Sequence, residues 1–153
     1  MNLVIKYQQD WQKDFYNKKI AEFKNNPIGF DKIVFLGNSI TQGLLRHTDK
    51  LIGNNIINRG ISGDYTDGVL ARLKEIIHYK PKAVFLLIGL NDLFEDNRNK
   101  PERNPEYIAN NILLICKTIK NESKNTRIFI QTILPINNEQ YLSEKPNIEF
   151  LLP

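Results

Sequence analysis

The sequence predicts an α/β fold built on a parallel sheet, and three observations carry that expectation. Apolar runs of strand length recur at residues 32–37, 56–58, 83–88 and 127–134. Segments with apolar residues at helical spacing separate them. The runs are continuously apolar rather than alternating, as in strands buried on both faces. This is the pattern of right-handed strand–helix–strand units, with helices covering both faces of the sheet. At 153 residues, 41% apolar and 25% charged, the chain fits one globular domain with a core of its own.

Each element has a local reason. Trp11, Phe15, Ile20 and Phe23 lie at helical spacing among Lys, Asp and Gln, which predicts one or two amphipathic turns packed outside the main body. Residues 1–29 therefore read as an N-terminal helical extension ended by Asn26-Pro27-Ile28-Gly29, and residues 30–153 as the main domain. The first strand stops at Gly37, and a helix is expected from about Ile40. The second strand leads to a helix from about Tyr65 to His78, which Lys80-Pro81 breaks just before the third strand. After a polar loop, Pro105 suits the first turn of a helix running to about Lys120. The fourth strand follows at 127–134. Beyond Pro135 the chain turns polar, and the run at 148–152 is too short to assign.

Composition removes several function classes. The 21 basic and 17 acidic residues leave a net charge of +4, with lysines scattered among acids and asparagines and no basic stripe interleaved with aromatics, so nucleic-acid binding is not expected. Cys116 is the one cysteine, so no internal disulfide forms; in the apolar run 112–116 it reads as a buried small hydrophobe. Two distant histidines and one cysteine give no metal-ligand spacing, and no metal or other cofactor is expected. Leu3-Val4-Ile5 is too short for a signal-peptide core, and no apolar stretch reaches membrane-spanning length. A cytoplasmic, soluble protein is the expectation.

In an open doubly wound sheet, ligands collect at the carboxyl edge of the strands. Past the first strand come Gly37-Asn38-Ser39, past the second Asn58-Arg59-Gly60-Ile61-Ser62-Gly63-Asp64, past the third Gly89-Leu90-Asn91-Asp92, and past the fourth Pro135-Ile136-Asn137. A serine opening a helix gains from backbone N–H groups and the helix dipole when negative charge develops nearby. Gly63 offers a backbone N–H with no side chain in the way, and Asn91 an amide. Taken singly, Asn38 and Ser39 serve as well to cap a helix, and Gly63 and Asn91 to make turns. Asp64 and Asp92 read as hydrogen-bonding groups within their loops, and Arg59 as a residue that pins the second loop through a carboxylate.

Taken together, the first three segments resemble, in order and at fitting spacings, the first three blocks of the SGNH (GDSL-type) hydrolases, in the esterase and acylhydrolase branch. Ile130-Gln131-Thr132-Ile133-Leu134-Pro135-Ile136-Asn137 is similar to the fourth-strand signature of the acylhydrolases, and the resemblance runs from about residue 30 to 138. It implies a flavodoxin-like, three-layer α/β/α sandwich with strand order 2-1-3-4-5, and hydrolysis of acyl esters or thioesters. It also implies Ser39 as nucleophile, and the Ser39 N–H, Gly63 and Asn91 as oxyanion donors. The family's base and orienting acid lie in an Asp-x-x-His block beyond the fourth strand, and the sequence has only His47 and His78. His47 lies eight residues past Ser39 along the expected helix, and His78 at the amino edge of the sheet. The expectation is thus a chain truncated before that block, lacking the last strand, one helix and the base, nearly inert alone, and open to self-association along the fourth strand.

Two alternatives stand beside the esterase. One is a non-catalytic module that binds an acyl or acetylated-sugar ligand in the same crevice. The other, a phosphate or flavin binder, is disfavoured because no GxxxxGK[ST] or GxGxxG cradle is present. The polar loop at 95–99 suits a small hydrophilic ester, an acetylated carbohydrate among the candidates, though an ordinary solvated loop has the same composition.

Overall fold

In the computed structural model, residues 5–44, 55–93 and 103–133 are described. Four strands, β1 (Ile33–Gly37), β2 (Ile56–Gly60), β3 (Ala83–Leu87) and β4 (Arg127–Ile130), form one sheet in the order β2-β1-β3-β4. Every pairing is parallel, with Ile33 opposite Ile56 and Ala83, and Ala83 opposite Arg127. Between the strands lie α1 (Asp10–Asn25), α2 (Ser39–Gly43), α3 (Thr66–Ala71), α4 (Leu73–Tyr79) and α5 (Pro105–Glu122). None of the described helices is long and apolar enough to cross a membrane.

One sheet face presents Val34, Leu36, Val84 and Leu86, all buried against Val69, Leu73 and Ile76 from α3 and α4 and Ile115 and Ile119 from α5. Full burial of each such side chain stabilises by about 1.5–3 kcal/mol, so this layer carries much of the fold. Cys116 is half-buried against the same core, and burial raises its thiol pKa. On the opposite face Phe35, Phe85 and Phe129 stack across β1, β3 and β4, with ring centroids 4.9 and 4.7 Å apart. Among the described residues β4 is the terminal strand, and its Phe129 and Ile130 are exposed.

The helices depart from the sequence expectation in two places. α1 is a single helix of 16 residues whose buried positions are Gln12 and Tyr16. Trp11 is 55% exposed, and Phe15, Ile20 and Phe23 are half-buried. Polar side chains win the inner face because the main body supplies partners: Gln12 donates to Gly63 O, and Tyr16 to Gly68 O at 2.8 Å. The helix expected from Tyr65 to His78 is two helices. Arg72, at φ −113° and ψ 15°, ends α3 and opens α4, and its side chain turns into the body. α5 begins as expected: Asn104 caps it by accepting from Tyr107 N, and Pro105 lies in its first turn.

Glycine at two strand ends lets the layers close up. A Cβ on Gly37 would overlap the Leu87 carbonyl and the Thr41 hydroxyl, and one on Gly60 would overlap the backbone of Thr41 and Gln42. α2 thus sits directly on the end of β2. Gly60→Ala is expected to cost at least about 1–3 kcal/mol, as overpacking does, because the obstruction is backbone. Gly43, with open space around its missing Cβ, is the control: Gly43→Ala should be neutral or stabilising. Urea unfolding of the two variants checks the contrast.

Candidate active site

Gly37 lies opposite both Gly60 and Leu87, so the chain leaves β1, β2 and β3 side by side at the carboxyl edge. Asn38 is buried and caps α2 with its side chain, Oδ1 accepting from Ile40 N at 3.0 Å. Ser39, the first residue of α2, is exposed. Asn58 Nδ2 donates to Thr41 O and its Oδ1 accepts from Gly60 N, which ties β2 to α2. Ser62 N donates to Gln42 Oε1 at 2.7 Å, which fastens the second loop to the same helix.

Gly63 takes φ +76°, and Trp11 and Gln12 of α1 cover it so closely that a Cβ would meet the Trp11 ring at 2.8 Å. Asn91 is buried, and its amide nitrogen donates to Asp64 O at 2.9 Å. The structure therefore brings the loops bearing Ser39, Gly63 and Asn91 into one hydrogen-bonded unit. Among the described residues, the Ser39 hydroxyl, the Ser39 N–H and the Gly63 N–H have no hydrogen-bond partner.

Two buried ion pairs underlie these loops. Asp64 receives two hydrogen bonds on one carboxylate oxygen from Arg72, at 2.9 and 3.1 Å, and one from Tyr65 N on the other. Arg72 also donates to Gly37 O at 3.0 Å and to Arg59 O at 2.7 Å. Asp92 accepts from the Thr66 N–H and hydroxyl and from Arg103 at 2.8 Å. Arg103 reaches on to Asp67 and the Lys6 carbonyl and stacks over the Tyr65 ring at 4.1 Å, while its Nε is buried without a partner among the described residues. Burial raises the pKa of both carboxyls to about 6 against the pull of their arginines.

Asp64 and Asp92 thus act as hydrogen-bonding groups, as the sequence suggested. Arg59 pins its segment through a carboxylate, as expected, in a two-pronged pair with Glu75 of α4, and also donates to Asn26 O; the pair of Arg72 with Asp64 adds a second hold on the same loop. Sequence reasoning missed Arg72, Arg103 and Gln12. The one available signal was an arginine in the apolar register Leu70-Ala71-Arg72-Leu73. His78 is exposed at the end of α4, edge-to-face with Tyr79 before β3 begins, and so lies at the amino edge of the sheet. His47, residues 94–102 of the polar loop and residues 134–137 lie outside the described residues.

The sequence pattern of the GDSL-like lipase/acylhydrolase family matches residues 35–149, which include every loop of this edge. The chain belongs to that family. Solved structures agree. A Bacteroides fragilis protein described as an acylhydrolase is 26% identical, with a TM-score of 0.60, over 84% of this chain and 61% of its own. A Streptococcus pneumonia protein described as a platelet activating factor is 24% identical, with a TM-score of 0.67, over 93% of this chain and 67% of its own. An acetylxylan esterase from Geobacillus stearothermophilus is 24% identical, with a TM-score of 0.52, over 75% of this chain and 66% of its own. The last two bear on the fold alone, which is the α/β fold of these GDSL-like relatives. The chain spans about three fifths to two thirds of the length of these structures. No curated protein matches the sequence.

The raised carboxyl pKa values set a pH dependence. Asp92 titrates at about 6 when folded, above its ordinary 3.8, so the folded state binds this proton more tightly than the unfolded one. That stabilisation is complete below the unfolded value and is lost as pH rises through the folded value. Relative to Asp92→Asn, the wild-type chain should gain stability on the order of 2 kcal/mol as pH falls from 7 to 4.5. Urea midpoints at the two pH values test this. A gap moving the other way would mean that Arg103 keeps the carboxylate ionised throughout.

Proposed function

We propose that the chain carries the acyl-transfer face of a serine esterase, with residues 30–153 forming the hydrolase domain and residues 1–29 an extension that braces it. The observation that carries this reading is the bonded unit of three carboxyl-edge loops, in which the Ser39 hydroxyl and the Ser39 and Gly63 N–H groups have no partner among the described residues. Ser39 Oγ attacks the acyl carbon of an ester. The carbonyl oxygen gains a negative charge, held by the Ser39 and Gly63 N–H groups and the Asn91 amide. Each such donor contributes roughly 10²–10³ in rate. The alcohol leaves, and water then releases the acid from the acyl-serine.

The serine proton needs an acceptor. His78 lies at the opposite edge of the sheet, so the reading assigns the base to a histidine outside this sequence. In subtilisin, loss of the triad histidine costs about 10⁶ in kcat, so the chain alone should turn over very slowly. Family membership supports an acyl ester as substrate, and the Geobacillus relative, by its name, suggests an acetylated carbohydrate. Through its exposed Phe129 and Ile130, β4 would pair with a second copy or with chain from elsewhere in the protein.

The test is hydrolysis of p-nitrophenyl acetate by the folded chain and by Ser39→Ala, each with added imidazole and corrected for imidazole alone. The reading expects a slow, Ser39-dependent rate that imidazole raises. Equal rates for the two chains would sink it. Ligand binding without any Ser39 acylation would favour the non-catalytic module.

A further inference from the structure

α1 is fastened to the body in its first two turns by Gln12 on Gly63 and Tyr16 on Gly68, and at its end by Arg59, which lies 4.4 Å over the Phe23 ring and donates to Asn26 O. Between these anchors α1 packs less closely on α3 and α4 than α5 does on α3. The space left between is a cavity of about 830 Å³, within the size range of small-molecule sites. Ile5, Tyr7, Tyr16, Ile20, Phe23 and Tyr79 give it apolar and aromatic walls.

Its charge is one-sided. Lys13, Lys24 and Lys74 line it and form no ion pair among the described residues. The acid in the wall, Glu75, is already neutralised by the two-pronged bond from Arg59 and also accepts from Ile28 N. Arg72, also in the wall, is committed to Asp64. Lys13, Tyr16, Ile20, Phe23 and Lys24 follow helical spacing, so they share one face of α1. That face is an apolar stripe about 10 Å long from Tyr16 to Phe23, at 1.5 Å per residue, lying between Lys13 and Lys24.

We propose that this cavity is a second ligand site, separate from the carboxyl-edge crevice, and that it takes an amphiphilic anion: an alkyl chain ending in a carboxylate. The chain lies along Tyr16, Ile20 and Phe23, and the carboxylate pairs with a lysine at the rim. An uncharged or cationic amphiphile gains nothing from the three lysines. Tyr16 and Arg72 line the cavity and also hold the 63–68 segment and the ends of β1 and β2, so an occupied site tightens the loop that carries Gly63.

Calorimetric titration of the full chain with sodium decanoate tests this, with decyltrimethylammonium as the charge control and circular dichroism to confirm that each variant folds. The expected result is saturable binding at one site. Lys13→Glu/Lys24→Glu should weaken it at least tenfold, and Ile20→Trp, which fills the cavity, should abolish it. The cationic amphiphile should not compete. Absence of saturable decanoate binding overturns the proposal. So does binding that survives both sets of substitutions, which would place the ligand in the Ser39 crevice instead.

Discussion

The arrangement of the candidate site depends on the guanidinium of Arg72. It binds the carbonyl of Gly37 where β1 ends, the carbonyl of Arg59 near the end of β2, and the buried carboxylate of Asp64 in the loop that follows. Arginine suits this place because its planar fork of five donors meets several acceptors at fixed angles, whereas a lysine is a point charge on a flexible stem. To reach them, the chain gives up helical geometry at residue 72, which divides α3 from α4. A buried pair of this kind adds little net stability over an apolar replacement, while breaking one partner alone costs about 3–5 kcal/mol. Its value here is geometric: it fixes where the second loop leaves the sheet, and so where the Gly63 N–H lies relative to α2.

Arg103 repeats the device one layer out. It joins Asp92, beside Asn91, to Asp67 at the start of α3, and packs its charge on the Tyr65 ring. α1 closes the same loop from outside through Gln12 and Trp11. Three separate parts of the chain thus immobilise five residues between β2 and α3. Under the proposed function, that cost in conformational entropy holds backbone donors ready for a charge that exists only in a transition state.

The sheet was legible because continuously apolar runs such as Ile33-Val34-Phe35-Leu36 and Ala83-Val84-Phe85-Leu86 announce strands locally, although among the described residues one face is buried and the other, at Phe35 and Phe85, only half-buried. Gly37 was legible as the tight end of β1, whereas Gly60 was read past a strand ending at Asn58 and the structure carries β2 on to it. The inner face of α1 was not: Gln12 and Tyr16 are buried only because Gly63 and Gly68, some fifty residues away, accept their hydrogen bonds. The break at Arg72 is likewise invisible to periodicity, because its cause lies in three acceptors on other elements. That the loops bearing Ser39, Gly63 and Asn91 meet at one sheet edge was readable from their order after the strands, while the two arginines that position those loops were not.

Amide hydrogen exchange on Arg72→Met, and on Arg72→Met/Asp64→Asn to remove the stranded charge, tests the central claim most directly. The account predicts that residues 61–65 lose protection in both variants while the centres of β1 and β3 keep theirs, because the sheet core does not depend on the arginine. Unchanged protection at 61–65 in the double variant would contradict it, and would mean that α1 and Asn91 suffice to hold the loop.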